Sequence, residues 1–441
     1  MDNEYCKENK SKGIHYMDFD NVLGYTEEKA ELAKIADILR NTEKYHALGV
    51  ETPRGLLLEG DPGLGKTTMA NALIEESGRP VFRVRKEKTN GDFLETIKAA
   101  FNEAKAAAPS IVFLDDLDKF ANEDEHHRNA DEFVTIQSQI DECRGTEVFV
   151  LATANETNCL PGSLLRVGRF DRILTIEAPK HKDAVEIIRH YLSKKKSVSP
   201  DVDAEEISRI MNGKSYAELE TVINEAGIYA AYAGKSCIEM EDIIKACLRV
   251  IFDAPDTMTS EDEYAEDVAF HEAGHAVLNE VLEPGSVNLI SIASHKGSIS
   301  GVTSYFQNEN YFKDVRFMQN RVRGLLAGKA ATELVFGRTD SGANNDLHRA
   351  FAICEGFIDD YCSFGFGTFA RRNSGMELAN RKDLGIEVEM SRFYAETKQI
   401  LIENREFLDK LAKALLEKKT LLRSDIAAIR AACAVKDGQA A

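Results

Sequence analysis

The stretch "GDPGLGKT", Gly60 to Thr67, constrains this chain more than any other part of it. It places a glycine, four residues and then Gly-Lys-Thr, the spacing of a phosphate-binding loop. The apolar run "GLLLEG" (55–60) precedes it and the helical pattern "TTMANALIEES" follows. The segment must therefore leave a strand, turn tightly and open a helix. Glycines in the turn let backbone N–H groups point inward around phosphate oxygens, and the helix N-terminus adds the positive end of its dipole. The candidate nucleotide-binding residues are Gly60, Asp61, Pro62, Gly63, Leu64, Gly65, Lys66, Thr67 and Thr68. Lys66 is placed to reach the β and γ phosphates of ATP, and Thr67 to ligate Mg²⁺. A glycine-rich turn without a ligand is the plainer alternative.

The rest of the first half fits a sheet built around that loop. "PVFRV" (80–84), "SIVFLDD" (110–116), "EVFVLATAN" (147–155) and "RILTIEAP" (172–179) read as short buried strands. Helical patterns such as "LETIKAAFNEAKAAA" lie between them. Alternation of this kind predicts a parallel sheet with helices on both faces. From His181 to Phe252 only helical patterns remain, which predicts a small all-helical unit. "DAPDTMTSEDE" (253–263) is polar and reads as a linker. A mostly helical segment follows, interrupted by "VNLISIASHKGSISGVTSYF" (287–306), a hairpin or meander.

Chemistry-bearing residues stand at the ends of the predicted strands. Asp115 is placed to hold Mg²⁺ and Asp116 to polarise the attacking water; an N-cap cluster is the alternative. Asn155, ending the next strand, can orient the γ-phosphate. "LLRVGRFDR" carries Arg166, Arg169 and Arg172. Arginines in a loop remote from their own phosphate loop suit a finger reaching a neighbour's ATP, while solvated surface arginines are the alternative.

A second chemistry is written in "AFHEAGHAVLNE" (269–280). His271 and His275 are four residues apart, so one helix face presents both imidazoles to one ion. Glu272 points beside that face, where it can take a proton from the attacking water and pass it to the leaving amine. Zinc in a catalytic site needs a third protein ligand. The extended HExxHxxGxxH pattern does not supply it, because Leu278 and Val281 stand where glycine and histidine belong. Glu280 and Glu283 are nearby on the same helix.

Composition excludes other functions. The chain has 441 residues, 43% of them apolar, enough for two or three domains. Its formal charge of −19 opposes nucleic acid and anionic lipid as main partners. No apolar run approaches the roughly eighteen residues of a membrane span, and the start has no signal-like stretch. Eight cysteines without a CxxC pair suggest neither a disulfide framework nor a cysteine zinc site, which predicts a reducing, cytoplasmic setting.

"FDNVLGYTEEKAELAKIADIL", "YHALGVETPRGLLLEGDPGLGKT", "LLRVGRFDR", "HEAGHAV" and "ATELVFGRTDSGANNDLHRA" together resemble the FtsH-type ATP-dependent zinc metalloproteases, from about Asp18 to Val435. The resemblance implies a flexible tail (1–17), an α/β AAA P-loop ATPase domain (18–180) and its small helical lid (181–255). A mainly α-helical zinc metallopeptidase domain (256–435) and a short tail (436–441) follow. It implies a homo-hexamer that feeds polypeptide substrates to zinc sites, with Zn²⁺, ATP and Mg²⁺ as cofactors. It names Asp346 in "SGANNDL" as the third zinc ligand; a helix cap is the plainer reading, and Glu333 is the runner-up. His295 and His348 read as surface residues. "SGVTSYF" (300–306) matches the strand beside the zinc, where an exposed edge would pair with an extended substrate; an internal strand is the alternative. The chain departs from the family at three places. Asp116 replaces glutamate, "TNG" (89–91) replaces an aromatic pore loop unless Phe93 substitutes, and the usual membrane anchor is absent. The favoured function is ATP-dependent proteolysis. The alternatives are an ATP-gated peptidase for unfolded chains, and a nucleotide-switched chaperone or scaffold with a dormant peptidase.

Overall fold

Along the strands Gly55–Glu59, Ser110–Leu114 and Val148–Ala154 of the first half successive apolar side chains enter two separate cores, whereas the last strand, Arg172–Thr175, expected to be buried, is largely exposed at the sheet's edge. The computed structural model describes residues 19, 22–86, 93–121, 130–166, 168–252, 264–293, 301–306, 314–338, 341–361 and 376–437. The expected tail at 1–17, "TNG", the linker and His295 lie outside the described residues.

In chain order the elements begin with α1 (Thr26–Arg40), α2 (Thr42–His46), β1 (Gly55–Glu59), α3 (Lys66–Ser77), β2 (Val81–Val84) and α4 (Phe93–Ala106). Then come β3 (Ser110–Leu114), α5 (Ala130–Glu142), β4 (Val148–Ala154), β5 (Arg172–Thr175), α6 (His181–Ser193), α7 (Ala204–Ile210), α8 (Tyr216–Tyr232) and α9 (Met240–Phe252). The second half contains α10 (Ala265–Leu282), β6 (Val287–Ser291), β7 (Val302–Tyr305), α11 (Val315–Phe336), α12 (Asn344–Asp359) and α13 (Met376–Glu403). It closes with α14 (Arg405–Lys418), β8 (Thr420–Leu422) and α15 (Arg423–Asp437).

The described chain forms two compact units. One runs up to Val198 and takes in Gly213–Asn224; the other comprises Ser199–Asn212 and the chain from Glu225 onward. The first unit holds a five-stranded parallel sheet in the order β2-β3-β4-β1-β5. Leu57, Val112, Leu114, Val150 and Ala152 face α4 and α5, packing with Ile97, Phe101, Ile136 and Ile140. Leu56, Leu58, Ile111, Phe113 and Leu151 face α1 and α3, packing with Leu32, Ile35, Met69 and Leu73. This two-sided burial explains why these strands are nearly continuous apolar runs. Because the strands are parallel, the phosphate loop, Arg85, Asp115 and Asn155 all emerge at the same carboxyl edge, where open α/β sheets bind ligands.

In the second unit α11 separates two cores. Its Ala330 and Ala331 join α10 and α14 through Ala273, Val277, Leu408 and Leu411. Its Val322 and Leu326 join α12 and α13 through Cys354, Phe357, Ile386 and Phe393. Small residues allow α10 and α11 to approach closely: a Cβ at Gly274 would stand 2.5 Å from the Ala331 Cβ. The expected hairpin is present as β6 and β7, antiparallel. The short β8, which no sequence pattern marks, pairs with the other side of β6. The sheet order is β7-β6-β8, so among the described residues β7 lies at the edge.

Candidate active site

Each unit gathers one set of the residues singled out above. In the first unit Gly60, Gly63 and Gly65 all have positive φ. Gly60 is also required by crowding, since a Cβ there would lie 2.1 Å from the Ile176 carbonyl oxygen. Leu64 is buried and anchors the turn, while Asp61, Pro62, Gly63, Thr67 and Thr68 are exposed. Lys66 starts α3 and is itself buried. Its Nζ donates to the carbonyl oxygens of Gly60 and Asp61, each at 2.7 Å, and to Asn155 Oδ1 at 2.8 Å. Burial lowers the Lys66 pKa, and the nearby charges of Asp118, Asp116, Asp61 and Asp115 oppose that effect.

Asp115 accepts from Thr67 Oγ1 at 3.0 Å and from Thr153 Oγ1 at 2.8 Å through one oxygen. The carboxylate and the threonine expected to serve Mg²⁺ are therefore in direct contact. Asp116 follows in the left-handed region, φ 57°, with its N–H donating to Thr153 Oγ1 at 2.9 Å. Its carboxylate meets Lys119 Nζ at 2.6 Å and Arg85 at 3.7 Å. Arg85 also approaches Asp115 at 3.8 Å. A cavity of about 350 Å³ lies here, lined by Arg85, Lys86, Asp116 and Lys119. Sequence reasoning missed Arg85 and Lys119, because neither lies in a motif.

It also missed the turn that opens α8. Ser215 and Glu218 form a reciprocal capping box, with Ser215 N–H donating to Glu218 at 2.7 Å and Glu218 N–H to Ser215 Oγ at 3.3 Å. This turn lies on the phosphate loop, where Ala217 N–H donates to the Gly63 carbonyl at 3.0 Å. The S-x-x-E spacing of "SYAE" was the available signal.

The loop arginines differ. Arg169 is tied within its own chain: it meets Asp141 at 2.8 and 3.3 Å and donates to the Ser163 carbonyl. Arg172 is exposed and pairs with Glu31 at 3.4 Å. Arg166 is exposed, and among the described residues its side chain has no hydrogen-bond or ion-pair partner. Phe93 packs edge-to-face on Phe120 at 5.3 Å and against the sheet core.

In the second unit α10 turns His271, Glu272 and His275 toward α11, α12 and β7. The two histidine Nε2 atoms are 3.1 Å apart. Asp346, in the first turn of α12, brings Oδ2 to 3.5 Å from His271 Nε2 and 3.2 Å from His275 Nε2. Zinc bonds of about 2.0–2.2 Å in a tetrahedral shell separate neighbouring ligand atoms by about 3.3–3.6 Å; the separations here, 3.1, 3.2 and 3.5 Å, need to open by only a few tenths of an ångström to take that ion. Among the described residues these two histidines and one carboxylate form the one group of three or more potential ligands close enough together to hold a metal. Gly328 of α11 leaves the space: a Cβ there would stand 2.5 Å from His271 Nε2 and 2.6 Å from His275 Nε2. His275 Nδ1 donates to the Gly324 carbonyl at 2.7 Å, which leaves Nε2 as the ligating nitrogen. Burial lowers the His275 pKa, but Asp346, the Glu272 charge and the Gly324 carbonyl outweigh it and the net shift is upward. Burial raises the Asp346 carboxyl, yet the two histidines hold it well below the usual carboxylate range.

Glu272 is buried beside this cluster, and its Oε2 accepts from Thr303 Oγ1 of β7 at 2.6 Å. The same-helix carboxylate Glu280 caps the entry to β6, accepting from the N–H groups of Gly285 at 2.9 Å and Val287 at 3.0 Å. Glu333 is engaged by Lys398 at 2.7 Å, Lys329 at 3.2 Å and Tyr394. The Lys398 hydrogen bond leads in lowering its pKa, to about 2. Neither Glu280 nor Glu333 belongs to the three-residue cluster. His348 is exposed.

Residues 56–178 match the ATPase family associated with various cellular activities (AAA), and residues 258–429 match Peptidase family M41. The chain is also similar to the ATP-dependent zinc metalloprotease FtsH 3 of Phytoplasma mali, 31% identical over 94% of this chain and 71% of that protein. This chain belongs to the FtsH family. Its similarity extends to FtsH 2 of a Thermoanaerobacter species, 30% identical over 95% of this chain and 84% of that relative. It extends also to FtsH 3 of Petrotoga mobilis, 31% identical over 91% and 67%. Among the described residues no helix is long and apolar enough to cross a membrane.

Proposed function

We infer that this chain is an ATP-dependent zinc metalloprotease that hydrolyses polypeptides. The observation that carries the reading is the convergence of His271, His275 and Asp346 on one point with Glu272 buried beside them. The same chain holds Lys66 against Asn155 and Thr67 against Asp115 at a phosphate loop. His271, His275 and Asp346 hold Zn²⁺, which when bound polarises the scissile carbonyl and the attacking water. Glu272 takes the proton from that water and delivers it to the leaving amine. The phosphate loop binds ATP; Thr67 and Asp115 serve Mg²⁺, Asn155 faces the γ-phosphate and Asp116 polarises the hydrolytic water.

The domains follow the sequence: ATPase 18–180, lid 181–255, peptidase 256–435. The assembly is a homo-hexamer in which Arg166 reaches a neighbour's nucleotide, with Arg169 holding the finger loop. The setting is the reducing cytoplasm, a reading supported by six free cysteines among the described residues. The edge position of β7 supports binding of an extended substrate by backbone pairing.

A second reading, an ATP-gated peptidase for chains already unfolded, is favoured by one observation. The carboxylate of Asp116 is engaged by Lys119 and Arg85, which opposes rapid hydrolysis. Casein cleavage, measured with and without ATP and with and without a zinc chelator, tests the main reading. Cleavage that needs ATP and stops on chelation is expected; chelator-resistant cleavage, or none at all, would sink it. Folded and unfolded forms of one substrate then separate the two readings.

A further inference from the structure

Glu272 is held from two sides by one strand. Thr303 Oγ1 donates to Glu272 Oε2 at 2.6 Å and lies 3.3 Å from the Glu272 backbone carbonyl. Immediately before the same strand, Gly301 lies so close that a Cβ there would stand 2.7 Å from Glu272 Cγ and 2.8 Å from Oε1. It would also meet Val268, one helical turn back, at 2.8 Å. One carboxylate oxygen is thus fixed by a hydroxyl, and the stem and other oxygen are limited by backbone with no side chain to yield. The strand is β7, whose inner side pairs with β6. Its outer side carries no strand among the described residues.

We propose that Thr303 and Gly301 are positioning residues for the base, so that the strand offered to substrate also sets the carboxylate that deprotonates water. This rests on the reading of Glu272 as the base. An unclamped glutamate has three side-chain torsions and could turn its carboxylate from the attack line. The hydrogen bond to Oε2 fixes the plane of the carboxylate, and the glycine lets the strand come close enough to make that bond. A polypeptide pairing with β7 is then aligned by the same backbone that aligns the base. Proximity of this kind acts on turnover rather than on affinity.

The test uses the full chain with ATP and fluorescein-labelled casein, and reads kcat, KM and bound zinc per chain. Thr303→Val keeps the shape and removes the donor. It should lower kcat by about tenfold or more, with KM within about twofold and zinc unchanged. Thr303→Ser restores the donor and should recover most of the loss. Gly301→Ala, which presses on the carboxylate instead of releasing it, should also lower kcat with zinc retained. Wild-type kcat in Thr303→Val overturns the proposal. So does loss of zinc or of folding in that variant, or failure of serine to rescue it, since each marks a structural role alone. Glu272→Gln is measured in parallel to separate the two ideas. If it cleaves normally, the base assignment itself fails; if it is inactive while Thr303→Val is normal, only the clamp fails.

Discussion

Asp116 shows how much one methylene can matter. It sits in the left-handed backbone region after Asp115, and its short arm brings the carboxylate to Lys119 and Arg85. A group that orients water acts by position, and about an ångström separates a useful one from a poor one. Asp116→Glu lengthens the arm and should raise ATP turnover on the order of tenfold with little change in ATP affinity. A fall in steady-state turnover would mean that the site has adapted around the shorter acid. Arg169 makes a different residue-scale prediction. Its hydrogen bonds, ahead of the other influences, hold the Asp141 carboxyl below its ordinary range. A depressed carboxyl stabilises the fold above its unfolded pKa of about 3.9, and that gain fades as pH falls through the folded value. Asp141 is partly exposed, so the effect is at most about 1 kcal/mol after screening. Arg169→Ala should therefore lower the melting temperature at pH 7 by more than it does near pH 3. A gap that stays constant across that range would remove Asp141 from the account.

At the scale of elements, the pairing of α10 with α11 prepares the metal site. Gly274 and Ala331 allow the helices to touch, and Gly324 and Gly328, one turn apart on α11, meet the two histidines differently. Gly324 supplies a carbonyl to His275 Nδ1, and Gly328 leaves room for the two imidazole rings themselves. A methyl group at Gly328 would press on the His271 ring at Cε1 and Nε2, each at 2.5 Å, and on His275 Nε2 at 2.6 Å, so both imidazoles must shift. Gly328→Ala should weaken zinc binding by about tenfold or more, comparable to the loss of a group that orients a ligand. Competition against a zinc-binding dye measures it, and circular dichroism checks that the helices persist. Native zinc affinity in a folded Gly328→Ala would show that α11 can shift to make room. Glu333 belongs to this scale too: joined to Lys398 and Tyr394, it ties α11 to α13 in the core shared with α12.

At the scale of the whole molecule, the two arginines offered as a finger differ in their contacts within the chain. Arg169 is occupied within its own chain, while Arg166 is exposed and without a partner among the described residues. A lone exposed arginine carries no evident stabilising role, which fits a group that acts on a neighbouring copy. Arg166→Ala should reduce ATP turnover about 10³-fold, the lower range for such a finger, with nucleotide affinity and melting temperature nearly unchanged. Full ATPase activity in a sample shown by light scattering to be monomeric would exclude action in trans. The half-buried ring of Phe93 packs on Phe120 at the margin of the sheet core.

The local parts of this protein were legible in the sequence because short-range geometry fixes them. Short apolar runs between helical patterns marked all five strands of the first sheet, and "GDPGLGKT" marked the loop between β1 and α3. A spacing of four put His271 and His275 on one face whatever lies around that helix. Asp346 was reached only by resemblance, since nothing in its own segment distinguishes a ligand from a helix cap. The tertiary structure supplied the remainder: Asp346 against the histidines, Thr303 on Glu272, Lys119 and Arg85 on Asp116, and β8 beside β6. Except for Lys119, three residues from Asp116, these are contacts between segments far apart in the chain. No periodicity records them; they exist because α10, α11 and α12 bury complementary faces and because parallel strands bring their carboxyl ends to one edge.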